Sequence, residues 1–242
     1  MIKAILFDYG GTLDTNARHW AHVIREAYDA HQLPVSEEQF REAYVFGERA
    51  LAKAPIVKPH DDFYTLLFKK IKQELAWLEF KEYYEINEEE WPWLVQALAE
   101  YCDRYAQRHI DRTKPTLQRL AGRLPLALVS NFYGNLPKVV ETYGIKSCFK
   151  QIVESAVVGV RKPDSQIFAL GAKACGVRPE ETIVVGDSYT KDIIPAAAIG
   201  CHTVWMKGEP WKQESVDETV PDKIITDFLD LEDALADIEN NA

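Results

Sequence analysis

The sequence has no apolar run that approaches the roughly 18 residues needed to cross a bilayer, so we expect no contact with a membrane. Its four cysteines are scattered without C-x-x-C spacing, which indicates neither a zinc site nor a disulfide framework. We therefore expect a reducing, cytoplasmic location. The apolar stretch 1–7 reaches Asp8 too soon for a secretory signal peptide, which agrees with that expectation.

Positive charge is also scarce. Lys and Arg total 28 against 38 Asp and Glu, a formal net charge of −10, which argues against non-specific binding of nucleic acid. Residues 213–242 hold ten of the acidic residues and one lysine. One interpretation is that this segment is an acidic tail that recruits a basic partner. However, Leu231, Leu235 and Ile238 recur at helical spacing, which favours a solvated surface helix preceded by a short strand.

At 242 residues, 47% hydrophobic and 27% charged, the composition is that of a globular protein. Short apolar or β-branched runs predict strands, and helical patterns fall between the later ones. The predicted strands are 4–7, 125–129, 151–153, 182–185, 203–206 and 224–225, and the predicted helices are 115–121, 138–143, 165–175 and 192–199. Strands that alternate with helices predict an α/β fold, a Rossmann-like parallel sheet.

About one hundred residues separate the first two predicted strands, and this gap contains only helical patterns. Four amphipathic helices are expected there, near residues 21–28, 40–46, 64–71 and 94–105. The sequence therefore predicts an α/β core domain formed by residues 1–14 and 113–242. An inserted all-helical cap domain would comprise residues 15–112.

Polar residues directly follow several predicted strands. Asp8 begins the segment D-Y-G-G-T, Ser130 and Asn131 follow the second strand, and Asp187 follows the fourth. Lys162 lies beyond the third strand. Ligands of open parallel sheets bind beyond the carboxyl ends of the strands, so we expect these side chains to converge on one edge. Each could separately be a turn, a helix cap or a surface charge.

In this order the segments resemble the four motifs of the haloacid dehalogenase-like (HAD) hydrolase superfamily. ILFDYGGTLDT places Asp8 at the nucleophile position, and ALVSN places Ser130 at the phosphate-binding hydroxyl. GVRKPDSQIF places Lys162 at the basic position, and IVVGDSYTKD places Asp187 and Asp192 at the acidic positions. The helical insert is similar to the C1 type of cap found in this superfamily.

The resemblance implies Mg²⁺-dependent hydrolysis of a small phosphorylated metabolite through an aspartyl-phosphate intermediate. Asp8, the main-chain carbonyl of Gly10 and Asp187 would bind the metal, with Asp192 acting in the outer shell. Monomer and homodimer are both open.

The remaining implied site residues lie around the transferred phosphoryl group. Ser130 and Lys162 would hold its oxygens, and Asn131 accompanies Ser130 in the candidate catalytic set. Thr12 and the amide of Gly11 would shape the turn around it.

Gly10 departs from the pattern, because most phosphatases of the superfamily carry there a second Asp that acts as general acid and base. Losing such a group typically lowers the rate by ~10²–10⁴-fold. A hydrolase with low activity on ordinary phosphate monoesters is one interpretation. A pseudoenzyme that binds a phosphorylated ligand or a protein, a phosphonatase using a cap lysine such as Lys53 or Lys58, and a haloacid dehalogenase remain alternatives.

The cap offers a polar loop, residues 54–62, that could face the site. Lys58 and His60 are its candidate substrate-binding residues, and His60 with Asp61 and Asp62 could supply the missing acid. The alternative is that the loop only joins two cap helices. Linkers near 15–16 and 110–114 would let the cap open and close.

Overall fold

A computed structural model describes residues 1–53, 55–85, 87–212 and 215–241. Its centre is a six-stranded, wholly parallel sheet with strand order β3-β2-β1-β4-β5-β6. The strands are β1 (Ala4–Phe7), β2 (Leu126–Ser130), β3 (Gln151–Glu154), β4 (Thr182–Gly186), β5 (His202–Met206) and β6 (Lys223–Ile225). Each lies within about a residue of its predicted range, and the prediction of an α/β Rossmann-like core is confirmed.

The strands are apolar because both faces of the sheet are covered. On β1, Leu6 packs into one cluster of buried side chains while Ile5 and Phe7 pack into another on the opposite face. The second cluster continues without interruption into the helical insert. Chain order reverses around β1, whose neighbours are β2 and β4, so its carboxyl end lies at the switch point where open α/β sheets bind ligands.

The insert between β1 and β2 is helical in its described residues. It contains α1 (Trp20–Ala30), α2 (Glu37–Lys53), α3 (Phe63–Phe80) and the first part of α4 (Trp91–Ala121). Helix α3 packs against both α2 and α4, and α1 packs against α4. Each helix buries one apolar stripe, such as Leu67, Ile71, Leu75 and Leu78 of α3, so burial of these faces holds the insert together.

Helix α4 corrects the expected linker at 110–114. The helix runs unbroken for 31 residues through Pro115, because Ile110, Thr113 and Leu117 continue its buried face on both sides of the proline. The expected boundary at 112/113 therefore falls inside a helix, and the division into core and cap stays a prediction. Although α4 is long, none of the described helices combines the length and the apolar character needed to span a membrane.

The other expected linker is held by hydrogen bonds. Thr15 Oγ1 lies 3.0 Å from the carbonyl oxygen of Gly11 and 2.5 Å from that of Arg18, so its single hydroxyl proton is shared between these two acceptors. Asn16 Oδ1 accepts from the amide of Phe228 at 2.9 Å, which ties the segment to the far end of the chain.

In the part of the chain that the structure describes, five further α-helices cover the sheet: α5 (Leu136–Thr142), α6 (Ser155–Val158), α7 (Gln166–Cys175), α8 (Ile194–Ala197) and α9 (Leu231–Asn241). The helix expected over 192–199 is instead a π-helical turn, Tyr189–Ile193, followed by the short α8. The acidic C-terminal segment forms the expected strand and helix. Basic residues of α4 pair with it, in Arg112–Asp227 and Arg119–Glu232 contacts of 2.5 Å.

Candidate active site

Three of the expected residues meet at the carboxyl end of β1. Asp8 is 8% exposed and accepts hydrogen bonds from Ser130 Oγ at 2.9 Å and from Lys162 Nζ at 2.7 Å. Both bonds go to Oδ1. Among the described residues no hydrogen bond engages Oδ2, so this second oxygen of Asp8 remains able to attack an electrophile.

Two further carboxylates come from the loop after β4. Asp187 Oδ1 accepts from Thr12 Oγ1 at 3.0 Å. Asp192 is engaged on both oxygens, by Lys162 Nζ at 2.6 Å and by the amide of Ser188 at 3.0 Å. Oxygen atoms of Asp8, Asp187 and Asp192 lie within 4.8 Å of one another. Carboxylate oxygens at this spacing could hold a divalent cation.

Burial and crowding of charge perturb these groups. Burial, followed by the negative charges of Asp192 and Asp8, raises the pKa of Asp187 well above its usual range. Burial also raises the pKa of Asp192 to about 6, although Lys162 opposes the shift. Burial acts against the charge of Lys162, but attraction to Asp192 and Asp8 raises the pKa of its ammonium group above the ordinary value. The lysine therefore stays charged between the two carboxylates.

The turn after β1 requires a glycine at position 11. Gly11 has φ +95°, and a Cβ there would lie 2.5 Å from Asp187 Oδ2, so a side chain would collide with this carboxylate. Its amide donates to Asp14 Oδ1 at 2.7 Å, and Trp20 Nε1 donates to the other oxygen of Asp14 at 3.0 Å. Asp14 thus engages the amide that the sequence analysis assigned to the phosphoryl group, although Gly11 does line the cavity described below.

Gly10 lies in open space. No atom lies within 4 Å of the position that a Cβ would occupy, and its φ is not positive. The absence of a side chain at this position is therefore not forced by packing.

Asn131 supports the site without touching Asp8. Its side chain accepts from the amide of Lys162 at 2.9 Å and donates to the carbonyl of Lys162 at 3.1 Å. These two bonds fix the loop that carries the lysine, so Asn131 positions Lys162.

A cavity of about 1400 Å³ lies between the sheet edge and the insert. Its lining combines the catalytic cluster with residues of the insert such as His19, Trp20, Tyr44 and Phe63. Among the described residues, side chains of the helical insert therefore lie across the cavity from the carboxylate cluster.

Lys58 and His60 are not among the residues that line this cavity, and both are exposed. Pro55 and Val57 of the same loop do line the cavity, so the loop borders it through these two residues. Asp61 accepts from the backbone amide of Lys58 at 2.7 Å and from Lys69 Nζ at 2.5 Å, and Asp62 caps α3. Lys53, by contrast, lines the cavity.

The structure reveals a charged pair in the insert that the sequence analysis missed. Lys70 of α3 is 3% exposed and donates to Glu48 Oε1, while Tyr133 Oη donates to Glu48 Oε2 at 2.7 Å. Lys70 Nζ also lies 3.9 Å from the centre of the Tyr44 ring. All four line the cavity, and Tyr133 joins the core to the insert. The sequence did contain a signal for this pair, because Lys70 lies on the apolar stripe of α3, where a charged side chain needs a partner.

Trp205 is a second residue beside the site that the sequence analysis did not identify. It is the fourth residue of β5, is 6% exposed and donates from Nε1 to the main-chain carbonyl of Asp187 at 2.9 Å. Because it lies near the carboxyl end of a strand, the rule used for the other four clusters could have found it.

The fold and the carboxylate cluster together define an α/β protein with a helical insert and an acidic site at the switch point of its sheet. Comparison with known proteins identifies its family. A sequence model described as haloacid dehalogenase-like hydrolase matches residues 2–200, and the chain belongs to this family. The resemblance noted in the motifs is confirmed.

Individual relatives agree with a hydrolase of the phosphatase type. The phosphoglycolate phosphatase of Shigella boydii serotype 4 is 30% identical over 255 residues, covering 97% of this chain and 92% of that protein. The mouse haloacid dehalogenase-like hydrolase domain-containing protein 3 is 29% identical over 135 residues, 55% of this chain. This match spans about half, 54%, of the mouse protein.

A solved structure shows the same fold. The 2-haloacid dehalogenase of Pseudomonas syringae pv. Tomato aligns with a TM-score of 0.55 at 22% identity. The alignment covers 98% of this chain and 99% of the dehalogenase.

Proposed function

We propose that this chain is a Mg²⁺-dependent phosphatase that hydrolyses a small phosphorylated metabolite through an aspartyl-phosphate on Asp8. One observation carries the proposal: Asp8 has one oxygen fixed by Ser130 and Lys162 and the other free, next to two further carboxylates. A haloacid dehalogenase displaces halide without a metal, and three clustered carboxylates favour the metal-dependent reaction.

The donor set fits Mg²⁺. Asp8 and Asp187 offer hard carboxylate oxygens, and the Gly10 carbonyl follows in the same turn, whereas both oxygens of Asp192 are already engaged. Asp192 would therefore act from outside the ligand shell. The bound metal would screen the repulsion between Asp8 and a phosphate dianion.

The residues of the chain carry the two displacement steps. Asp8 Oδ2 forms a bond to phosphorus as the ester P–O bond breaks, and Ser130 and Lys162 stabilise the charge on the transferred oxygens. Water then attacks phosphorus, the bond to Asp8 breaks, and inorganic phosphate leaves. Because Gly10 has no side chain, the departing alkoxide takes its proton from water unless another residue supplies it. The proposal therefore includes low activity on alkyl phosphates.

The first test measures hydrolysis of acetyl phosphate and p-nitrophenyl phosphate with and without Mg²⁺, together with formation of a beryllium fluoride complex. We expect Mg²⁺-dependent turnover, lost by about 10³-fold or more in Asp8→Asn. The control, Asp233→Asn, changes an exposed carboxylate of α9 and should hydrolyse like the wild type.

Two outcomes would contradict the proposal. Beryllium fluoride binding without turnover of either substrate would favour the pseudoenzyme. Halide release from a 2-haloacid in the absence of metal would favour the dehalogenase.

A further inference from the structure

The cavity wall carries more positive charge than one phosphoryl group requires. Besides Lys162 and Lys70, the basic residues that line it are Arg49, Lys53, Arg161, Lys191, Lys207 and Lys212. This concentration contrasts with the formal net charge of −10 for the whole chain.

Three of these basic side chains have no ion-pair or hydrogen-bond partner among the described residues. Lys207 pairs with Glu218 at 2.5 Å, and Lys53 and Lys212 each adjoin a residue outside the described ranges. Within those ranges, no hydrogen bond or ion pair engages the side chain of Arg49, Arg161 or Lys191, although the main-chain amide of Lys191 donates to Ser188 Oγ at 3.3 Å. We call Arg49, Arg161 and Lys191 the cationic wall.

No acidic residue of the described lining compensates this wall. Apart from the three catalytic carboxylates, the only acidic residue in that lining is Glu48. Lys70 and Tyr133 engage its two oxygens. The wall is therefore free to attract an anion.

The cationic wall surrounds the site from both sides. Arg161 directly precedes Lys162, Lys191 directly precedes Asp192, and Arg49 belongs to α2 of the insert. His19, which caps the start of α1, lines the same cavity as Lys191. Cations of the core and of the insert thus act on the same space.

The transferred phosphoryl group already has Ser130 and Lys162, which leaves the cationic wall without a role in the displacement steps. The cavity, at about 1400 Å³, is also larger than the ~300–1,000 Å³ of typical small-molecule sites. Low-dielectric walls lined by one sign of charge concentrate ions of the other sign. We propose that the cationic wall binds a second anionic group of the substrate, a carboxylate or a second phosphate, distant from the phosphoryl group that is cleaved. The inference rests on the proposed phosphatase function.

The test compares matched substrates. 3-Phosphoglycerate differs from glycerol 3-phosphate by a carboxylate in place of a hydroxymethyl group, and fructose 1,6-bisphosphate adds a phosphate to fructose 6-phosphate. We expect kcat/KM to be about tenfold higher for the compound with the second anion in at least one pair, and the pair that shows the preference identifies the anion. Arg161→Gln, Lys191→Gln and Arg49→Gln should each reduce that ratio about threefold or more.

The matched control is Lys72→Gln, which removes an exposed lysine of α3 that does not line the cavity. It should leave the ratio unchanged. A wild-type ratio within twofold of one for both pairs would overturn the inference. So would variants that lower kcat/KM equally for both members of a pair, because the wall would then only steer the phosphoryl group.

Absence of hydrolysis in this comparison would not contradict the phosphatase proposal, which includes low activity on alkyl phosphates and is tested with acetyl phosphate and p-nitrophenyl phosphate. If none of the four compounds is hydrolysed with Mg²⁺, their binding to Asp8→Asn is measured by calorimetry. Tighter binding of the compound with the second anion, weakened in Arg161→Gln, would support the cationic wall whether or not the two activated substrates are hydrolysed. Equal affinities would overturn the inference.

Discussion

The core edge and the insert each bury one lysine among carboxylates, yet only one of the two arrangements can react. Lys162 bridges Asp8 and Asp192, which come from different strand ends. Asp187 lies beside them, and within the described ranges only Thr12 donates a hydrogen bond to its carboxylate. In the insert, Lys70 pairs with Glu48, and Tyr133 takes the remaining oxygen of Glu48.

The difference lies in the spare carboxylate. In the core, free oxygens of Asp8 and Asp187 face the cavity, so they can accept a metal or attack a substrate. In the insert, the spare carboxylate is Glu74, which is fully buried in the packing between helices, and its Oε1 has no partner among the described residues. A buried lysine with two acids is therefore a reactive centre only where an oxygen of the acids remains accessible.

Replacing each of the two lysines with methionine should give the largest difference between the core edge and the insert. Lys162→Met should lower kcat/KM by about 10²–10³-fold, because it removes a charge that stabilises the transferred phosphoryl group. Lys70→Met should change kcat/KM by less than about tenfold. It should instead lower the free energy of unfolding by about 1–3 kcal/mol. This loss is smaller than that for a fully buried ion pair, because the side chain of Glu48 is 39% exposed.

Steady-state kinetics and chemical denaturation of both variants check this pair. A Lys70→Met enzyme as inactive as Lys162→Met would show that the insert takes part in the chemistry.

Restoring an acid to the core edge should have the next largest effect. Gly10→Asp should raise hydrolysis of alkyl phosphates by about 10²-fold, since a carboxyl group there could protonate the leaving oxygen. Nothing lies within 4 Å of the added Cβ, so the turn can accept it. Hydrolysis of acetyl phosphate, whose acetate leaving group departs readily without a proton, should gain less than about threefold. An equal gain for both substrates would point to an effect on metal or phosphate binding.

Glu74, the buried acid of the insert, should make the stability of the fold depend on pH, while leaving the rate of hydrolysis unaffected. Burial raises the pKa of Glu74 to about 7, although Lys70 and Tyr28 oppose the shift. Because the folded-state pKa lies above the unfolded value, this stabilisation is fully present below about pH 4 and is lost as pH rises through 7. Between pH 5 and 8, the wild type should lose about 2 kcal/mol relative to Glu74→Gln.

Thermal or urea unfolding across this pH range measures the difference. Subtracting the Glu74→Gln curve removes contributions from other groups that titrate in the window, such as Asp14 and Asp192. Glu79→Gln, on the exposed side of α3, should keep the wild-type slope. Parallel curves for wild type and Glu74→Gln would mean that Glu74 is charged throughout.

The smallest effect concerns Trp205, which supports the core edge. Trp205→Phe keeps a ring but removes the donor to the carbonyl of Asp187, so Mg²⁺ affinity measured by calorimetry should fall about tenfold. Trp93→Phe, at a residue that is 63% exposed, is the control. Unchanged affinity in Trp205→Phe would show that Asp187 is fixed without the indole.

The core edge could be predicted more fully than the insert. Parallel strands buried on both faces give continuous apolar runs, and the residue after each run must lie at one edge, which is why Asp8, Ser130 and Asp187 could be brought together from the sequence. Lys70 and Glu48 could not, because their contact depends on how α2 packs against α3. The continuity of α4 through Pro115 was also missed, since a proline is a typical first residue of a helix.

The unbroken α4 also connects the two regions mechanically. Its 31 residues correspond to a rod of about 46 Å at 1.5 Å per residue. Its carboxyl-terminal part is fastened to α9 through Arg119 and Glu232, and its first turns pack within the insert. If the rod pivots about its fastened end, a tilt of about 5° carries its far end by about 4 Å. A change of packing too small to disturb the sheet would thus become a displacement as large as a side chain on the far side of the cavity.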